Sequence, residues 1–467
     1  MRLRLARLLS CVLPALSSGQ LLTAAESAEG FDAPAAIESY RPVAARLIEA
    51  AQADAFAHRR LAELCDTFGA RPAGTARLES AIDWILAQMK QDGLTRVHGE
   101  EVTVPCWVRG PESLELLAPR SLPLRVLGLG GTVATPPEGI TAEVLVVRDF
   151  EELHRRAADA RGKIVCFTLP FTEYGSTVVI RTRGAIEAAR VGAVASLVRS
   201  ITPFSMQTPH TGMMQYDESA AVPRIPHAAI TAEDAGFLQR LQDRGQAIRV
   251  RLMLRPESRP DAVSRNVVAE VPGRELPEEV VLVGGHVDSW DVGQGAMDDG
   301  GGCLAAWEAA RLMLKLNLRP RRTVRVVLWT GEEIGLIGAK AYRKQHSAEL
   351  DRHVLGIESD RGTFAPQGFA FTGSERAQPW MKGIGRLLEP IQAGQITVGN
   401  GGMDVMQLVE GGVPVMDLVV ERTRYFWFHH TDADTVDKVD PKELSRCAAS
   451  LAVMAYVIAD LPVRLPR

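Results

Sequence analysis

VVLVGGHVDSWDVGQGAMDDGGG, residues 280–302, decides the fold. It opens on a short apolar run, passes through two glycines to His286 and Asp288, and ends in an acidic glycine-rich turn. A helical pattern then runs from 301 to 316. An unbroken apolar run of this length fits a strand buried on both faces, where alternation would fit one half exposed. The same strand-then-helix rhythm returns in TVRVVLWT (323–330) before a helix at 335–346, and in HVLGIES (353–359) before a helix at 377–389. It returns once more in VPVMDLVV (413–420), before a last helix at 441–460. Repeated units of this kind predict an α/β fold, a mostly parallel twisted sheet with helices on both faces.

The ionisable residues fall just past those strands. His286 and Asp288 follow the first, Glu332 and Glu333 the second, Asp360 the third, and His430 a short loop after the fourth. In an open parallel sheet the C-terminal ends of the strands share one edge, and ligands bind there. Segments distant in sequence therefore deliver histidines and carboxylates to one place. Two histidines with several carboxylates and no cysteine suit zinc in a hydrolytic site, with manganese or cobalt the less favoured alternatives. Asp298 opens the MDDGGG turn, which can bring one carboxylate to two metals, and is read as the bridge. Glu332 and Glu333 are neighbours and point in different directions, so one can ligate while the other takes a proton from metal-activated water.

GGHVDSWDVGQGAMDDGGG, WTGEEIGLIGAK, IESDRGTF and YFWFHHTDADT together resemble the signature segments of the di-zinc exopeptidases of the aminopeptidase-like clan. The resemblance spans roughly 40–108 and 260–460. It implies a zinc exopeptidase (phosphorylase/hydrolase-like) fold and two Zn2+ per chain. It places His286 and Asp360 on one zinc, Glu333 and His430 on the other, Asp298 between them, and Glu332 as general base. It also implies that Asp288 orients His286 from behind and that Asp434 supports the His430 loop, since metal-bound imidazoles need such partners. The implied activity is hydrolysis of dipeptides or short peptides from a free terminus; amine or carboxylate preference stays open. A homodimer is implied too. A single-zinc acyltransferase of the glutaminyl cyclase type and a non-catalytic binding protein are the competing readings.

Residues 110–258 break into short strand-like runs (AEVLVV, GKIVCFT, HAAIT, IRVRLML) and carry none of the acidic clusters. They read as an inserted α/β domain, protease-associated-like by resemblance, closed by the polar connector RPESRPDAVSRN (255–266). The peptidase domain then comprises 40–109 and 259–467, beginning with helices that flank the loop GARPAG (69–74). MRLRLAR and the apolar stretch to Ala25 read as a signal peptide over 1–25, hence a secreted or periplasmic protein with no membrane span after cleavage.

A chain of 467 residues predicts two domains. Its net charge of -4 gives no basic field for nucleic acid. The scattered cysteines read as buried small hydrophobes. His429 reads as lining the substrate pocket or packing, with metal ligation the less favoured alternative, and Asp404 falls where the resembled family has its substrate-pocket loop, with a plain flexible loop as the alternative. Arg422 and Arg424 read as solvent-exposed, with recognition of a substrate carboxylate as the alternative. The aromatic run Tyr425–Phe428 fits a substrate wall, packing or a subunit contact equally.

Overall fold

The computed structural model describes residues 33–467; the predicted signal peptide lies outside them. Among the described residues no helix is long and apolar enough to cross a membrane. An eight-stranded sheet runs in the order Thr95–Val108, Glu257–Val271, Arg322–Trp329, Leu276–His286, His353–Glu358, Val415–Val420, Pro366–Thr372, Gln395–Val398. The four strands from Arg322–Trp329 to Val415–Val420 are parallel, as the strand-helix rhythm predicts. Antiparallel partners flank them on both sides, so the sheet is mixed. The flanking strands lack long apolar runs: Gln395–Val398 is a largely exposed edge.

Consecutive residues of a strand face opposite ways, so the apolar run at 280–283 feeds two cores at once. Val280 and Leu282 pack with Trp329, Ala339, Tyr342 and Leu408 in one. The helices Gly301–Lys315 and Pro441–Asp460 cover the other face and pack on each other. Both are buried nearly all round, which holds the strand ends and the turn before Gly301 on a rigid base.

A second eight-stranded sheet takes strands only from residues 112–254. Its strands Ile140–Val147, Ile164–Phe167, Ala195–Arg199 and His227–Ile230 are parallel, and apolar cores lie on both its faces. The chain leaves the first sheet after Val108 and re-enters at Glu257, and these two residues are paired across the ladder. The predicted connector is corrected here. Residues 257–271 form one continuous strand, antiparallel to Thr95–Val108. Its first residues face water on both sides, so the apolar pattern that betrays a strand is missing from them. The five cysteines among the described residues are all buried and free.

Candidate metal centre

His286 closes its strand, and its Nε2 lies 3.0 Å from Asp298 Oδ1 and 3.3 Å from Asp360 Oδ1. On the other side of Asp298, Oδ2 lies 3.2 Å from His430 Nε2, which in turn lies 3.0 Å from Glu333 Oε2. One carboxylate thus spans two donor sets. Ligands about 2.0–2.1 Å from a tetrahedral zinc stand roughly 3.3 Å apart, close to these separations. Asp298 Oδ2 and Glu333 Oε1 are buried with no hydrogen-bond partner. Burial alone would lower the basicity of both imidazoles, yet the carboxylates raise it: Asp360 and Asp298 act on His286, Glu333 and Asp298 on His430. The cavity is short of positive charge, and divalent metal fits it.

The neighbouring residues hold these ligands in place. His286 Nδ1 meets the main-chain oxygen of Asp288 at 2.9 Å, whereas the Asp288 carboxylate stands 3.8 Å away. Asp288 therefore meets the ring through its carbonyl oxygen. Its Oδ1 accepts instead from the main-chain N–H of Glu332 at 3.1 Å and so fixes the start of the Glu332–Glu333 segment. Asp434, expected to support the His430 loop, ties that loop to the Asp298 turn. Its carboxylate accepts from the N–H groups of Ala296, Met297 and Asp298 at 3.1, 2.7 and 3.2 Å, bracing the Asp298 turn. Asp299 accepts from His286 N and Gly302 N and is used up by the backbone.

Trp290 donates from Nε1 to Glu333 Oε2 at 2.6 Å and lies against His430. Its six-membered ring packs on Gly130 of the second sheet's unit so closely that any side chain there would collide with it. Replacing Trp290 with Phe should weaken metal binding by about 10-fold, the usual scale for losing an outer hydrogen bond to a ligand, as read by chelator competition.

Glu332 is pushed well above the ordinary carboxylate range by burial and by Asp360 and Glu333, with His286 opposing them. Asp404 is fully buried, and neither of its oxygens is hydrogen-bonded. Burial, Glu358 and Glu332 raise its pKa, so it faces the same interior as the predicted base. His429 stacks on His430 with 3.5 Å between ring centroids, and its Nε2 is 3.6 Å from Asp298 Oδ2. Asp298, His429 and His430 could also form a metal-holding set. His430 nonetheless reaches both Asp298 and Glu333 more closely. Arg424 pairs with Glu443 at 3.1 Å and Arg422 is exposed, so neither faces the donors.

Besides Trp290, two contributors escaped the sequence reading. Arg71, in the loop GARPAG, is fully buried and donates to the carbonyls of Val287, Gln294 and Gly295 at 2.9, 2.7 and 2.9 Å. It pins the segment joining His286 to Asp298. An arginine set among small loop residues is the only signal it leaves in the sequence. Arg71→Met strands those carbonyls in the interior and should cost on the order of 3 kcal/mol, measured by urea unfolding of the zinc-loaded protein. The other is Thr211, from the second sheet's unit. Its carbonyl lies 3.2 Å from His430 Nδ1, and its N–H donates to His430 O at 3.0 Å. A main-chain contact of this kind leaves no mark in a sequence.

The profile of Peptidase family M28 matches residues 266–455, the stretch that carries His286, Asp298, Glu333, Asp360 and His430. Carboxypeptidase Q of Homo sapiens is 48% identical over 410 residues, which cover 88% of this chain and 86% of the human protein. The chain belongs to peptidase family M28. This M28 peptidase also superposes on the crystal structure of a peptidase M28 precursor from Shewanella amazonensis SB2B with a TM-score of 0.88 at 36% identity, covering 92% of this chain and 99% of that one. A zinc aminopeptidase from Bacillus subtilis shares the fold, with a TM-score of 0.66 at 20% identity. The M28 peptidase is a zinc-dependent hydrolase of peptide bonds, and the constellation around Asp298 is where its chain gathers metal-binding side chains.

Proposed function

We propose that this M28 peptidase is an exopeptidase that binds two zinc ions, one on His286 and Asp360, the other on Glu333 and His430, with Asp298 shared. The observation that carries this reading is the reach of Asp298, whose two oxygens meet His286 at 3.0 Å and His430 at 3.2 Å. Zinc, when bound, supplies a Lewis acid for the scissile carbonyl and lowers the pKa of water to about 7. Glu332 would accept a proton from the attacking water and return it to the departing amine. Asp288 holds the Glu332 main chain, and Trp290 fixes the Glu333 carboxylate.

Residues 110–258 form an inserted protease-associated-like domain, a reading supported by the separate sheet at 112–254 and by the paired exit and return at Val108 and Glu257. That domain contributes the Thr211 carbonyl to the metal centre. The signal-peptide reading of 1–25 makes the protein secreted or periplasmic. The homodimer implied by resemblance is tested by light scattering of the purified protein.

The decisive assay loads the protein with zinc and follows release of free amino acids from a panel of dipeptides and tripeptides. Hydrolysis that saturates at two zinc per chain supports the proposal. No release from any peptide at full zinc loading refutes it.

A further inference from the structure

The two ligand pairs are supported from different sides. Among the described residues, the polar partners of the His286 ring are Asp288, Asp298 and Asp360, all in the first sheet's unit. The other pair leans on the inserted domain. His430 sits at φ +61, in the left-handed region that few residues other than glycine adopt, and Thr211 grips it there twice. The Thr211 N–H donates to His430 O at 3.0 Å, and the Thr211 carbonyl meets His430 Nδ1 at 3.2 Å. Four residues earlier, Phe426 O accepts from Thr202 Oγ1 of the same domain at 2.6 Å. Glu333 is reached at one remove: its Oε2 accepts from Trp290, whose ring is backed so closely by Gly130 that no Cβ would fit between them.

Arg109 ties these supports together. It follows the strand Thr95–Val108, where the chain leaves the first sheet, and its side chain is 11% exposed. Its Nε and Nη2 donate side by side to the two oxygens of Asp291, the neighbour of Trp290, at 2.7 Å each. The same Nη2 donates to Thr211 Oγ1 at 3.2 Å, and Nη1 donates to Gly128 O. A forked pair between arginine and carboxylate fixes direction as well as distance. One guanidinium thus clamps the segment that carries Trp290 to the two stretches of the inserted domain that back Trp290 and His430.

We propose that the zinc site of Glu333 and His430 is assembled by the inserted domain, with Arg109 as the positioning residue that clamps the domain in place, while the site of His286 and Asp360 forms without it. This rests on the two-zinc reading above. Cutting the clamp leaves a protein that holds one zinc well and the other poorly. Coupling between two equilibria is reciprocal, so zinc at the second site in turn tightens the docking of the domain.

The test titrates zinc against a competing chelator and locates the bound metal by anomalous scattering. Arg109→Met should weaken one of the two zinc ions by about 10- to 100-fold, the usual scale for losing an outer partner of a ligand, and leave the other at wild-type affinity against His286 and Asp360. Arg109→Lys keeps the charge without the fork and should recover part of the loss. Gly130→Ala displaces Trp290 by a separate route and should weaken the same zinc. Equal weakening of both zinc ions in Arg109→Met, or wild-type affinity for both, overturns the proposal. Amide hydrogen exchange of the wild type tests it with no variant to fold. Zinc loading should slow exchange at Thr211 N, bonded to His430 O, by about 10-fold relative to the strand Ile164–Phe167 of the same domain. Exchange at Thr211 that zinc leaves unchanged on that scale overturns the proposal equally. A wild type that saturates at one zinc removes the two-zinc reading itself and this inference with it.

Discussion

Glu332→Gln should lower kcat by at least about 10³-fold while two zinc ions per chain remain bound. Gln is nearly isosteric with Glu and keeps the main-chain N–H that Asp288 holds at 3.1 Å, so the segment carrying Glu333 stays in place. What disappears is the only group in the proposed mechanism that can accept a proton from water and return it to the amine. The distinguishing feature is the separation of two readouts. Metal analysis by mass spectrometry should match the wild type, and KM for a short peptide should move little. Retained turnover would take Glu332 out of the mechanism, and zinc loss would make it a ligand.

Asp298→Asn should do the opposite, removing metal and activity together. An amide offers one oxygen where the carboxylate offers two, and its NH2 must then face either His286 or His430, which stand 3.0 and 3.2 Å from the carboxylate oxygens. Bound zinc should fall below one per chain after gel filtration, and kcat/KM should fall by about 10³-fold, the loss of several kcal/mol of transition-state charge stabilisation. Circular dichroism should be close to that of the wild type, because Asp434 grips the turn through main-chain N–H groups that the substitution leaves intact. A variant that keeps two zinc ions would show that Asp298 does not bridge.

How much of this was legible in the sequence depends on what kind of group does the work. His286, Glu333, Asp360 and His430 stand out because each charged side chain follows a buried strand, and burial leaves an apolar run that can be read. Asp298 stands out through its glycine-rich turn. The roles of Asp288 and Asp434 were only half legible. The sequence points to both residues but not to their contacts: Asp288 meets His286 through its carbonyl, and Asp434 holds the Asp298 turn. Sequence shows which side chain is present and says little about which of its atoms is used. Thr211 acts on His430 through its main chain, and Arg71 sits in what reads as a plain loop. The strand Glu257–Val271 begins in water on both faces and therefore reads as a connector. Arg422 and Arg424 read as solvent-exposed; Arg422 is exposed, and Arg424 pairs with Glu443.

The central claim is that one carboxylate joins two zinc ions between two separate ligand pairs. Anomalous scattering from a crystal of the zinc-loaded protein, collected on either side of the zinc edge, tests it most directly. Two peaks are expected on either side of Asp298, one against His286 and Asp360, the other against Glu333 and His430. A single peak at full zinc loading, or a second peak held by His429 in place of His430, would contradict the account.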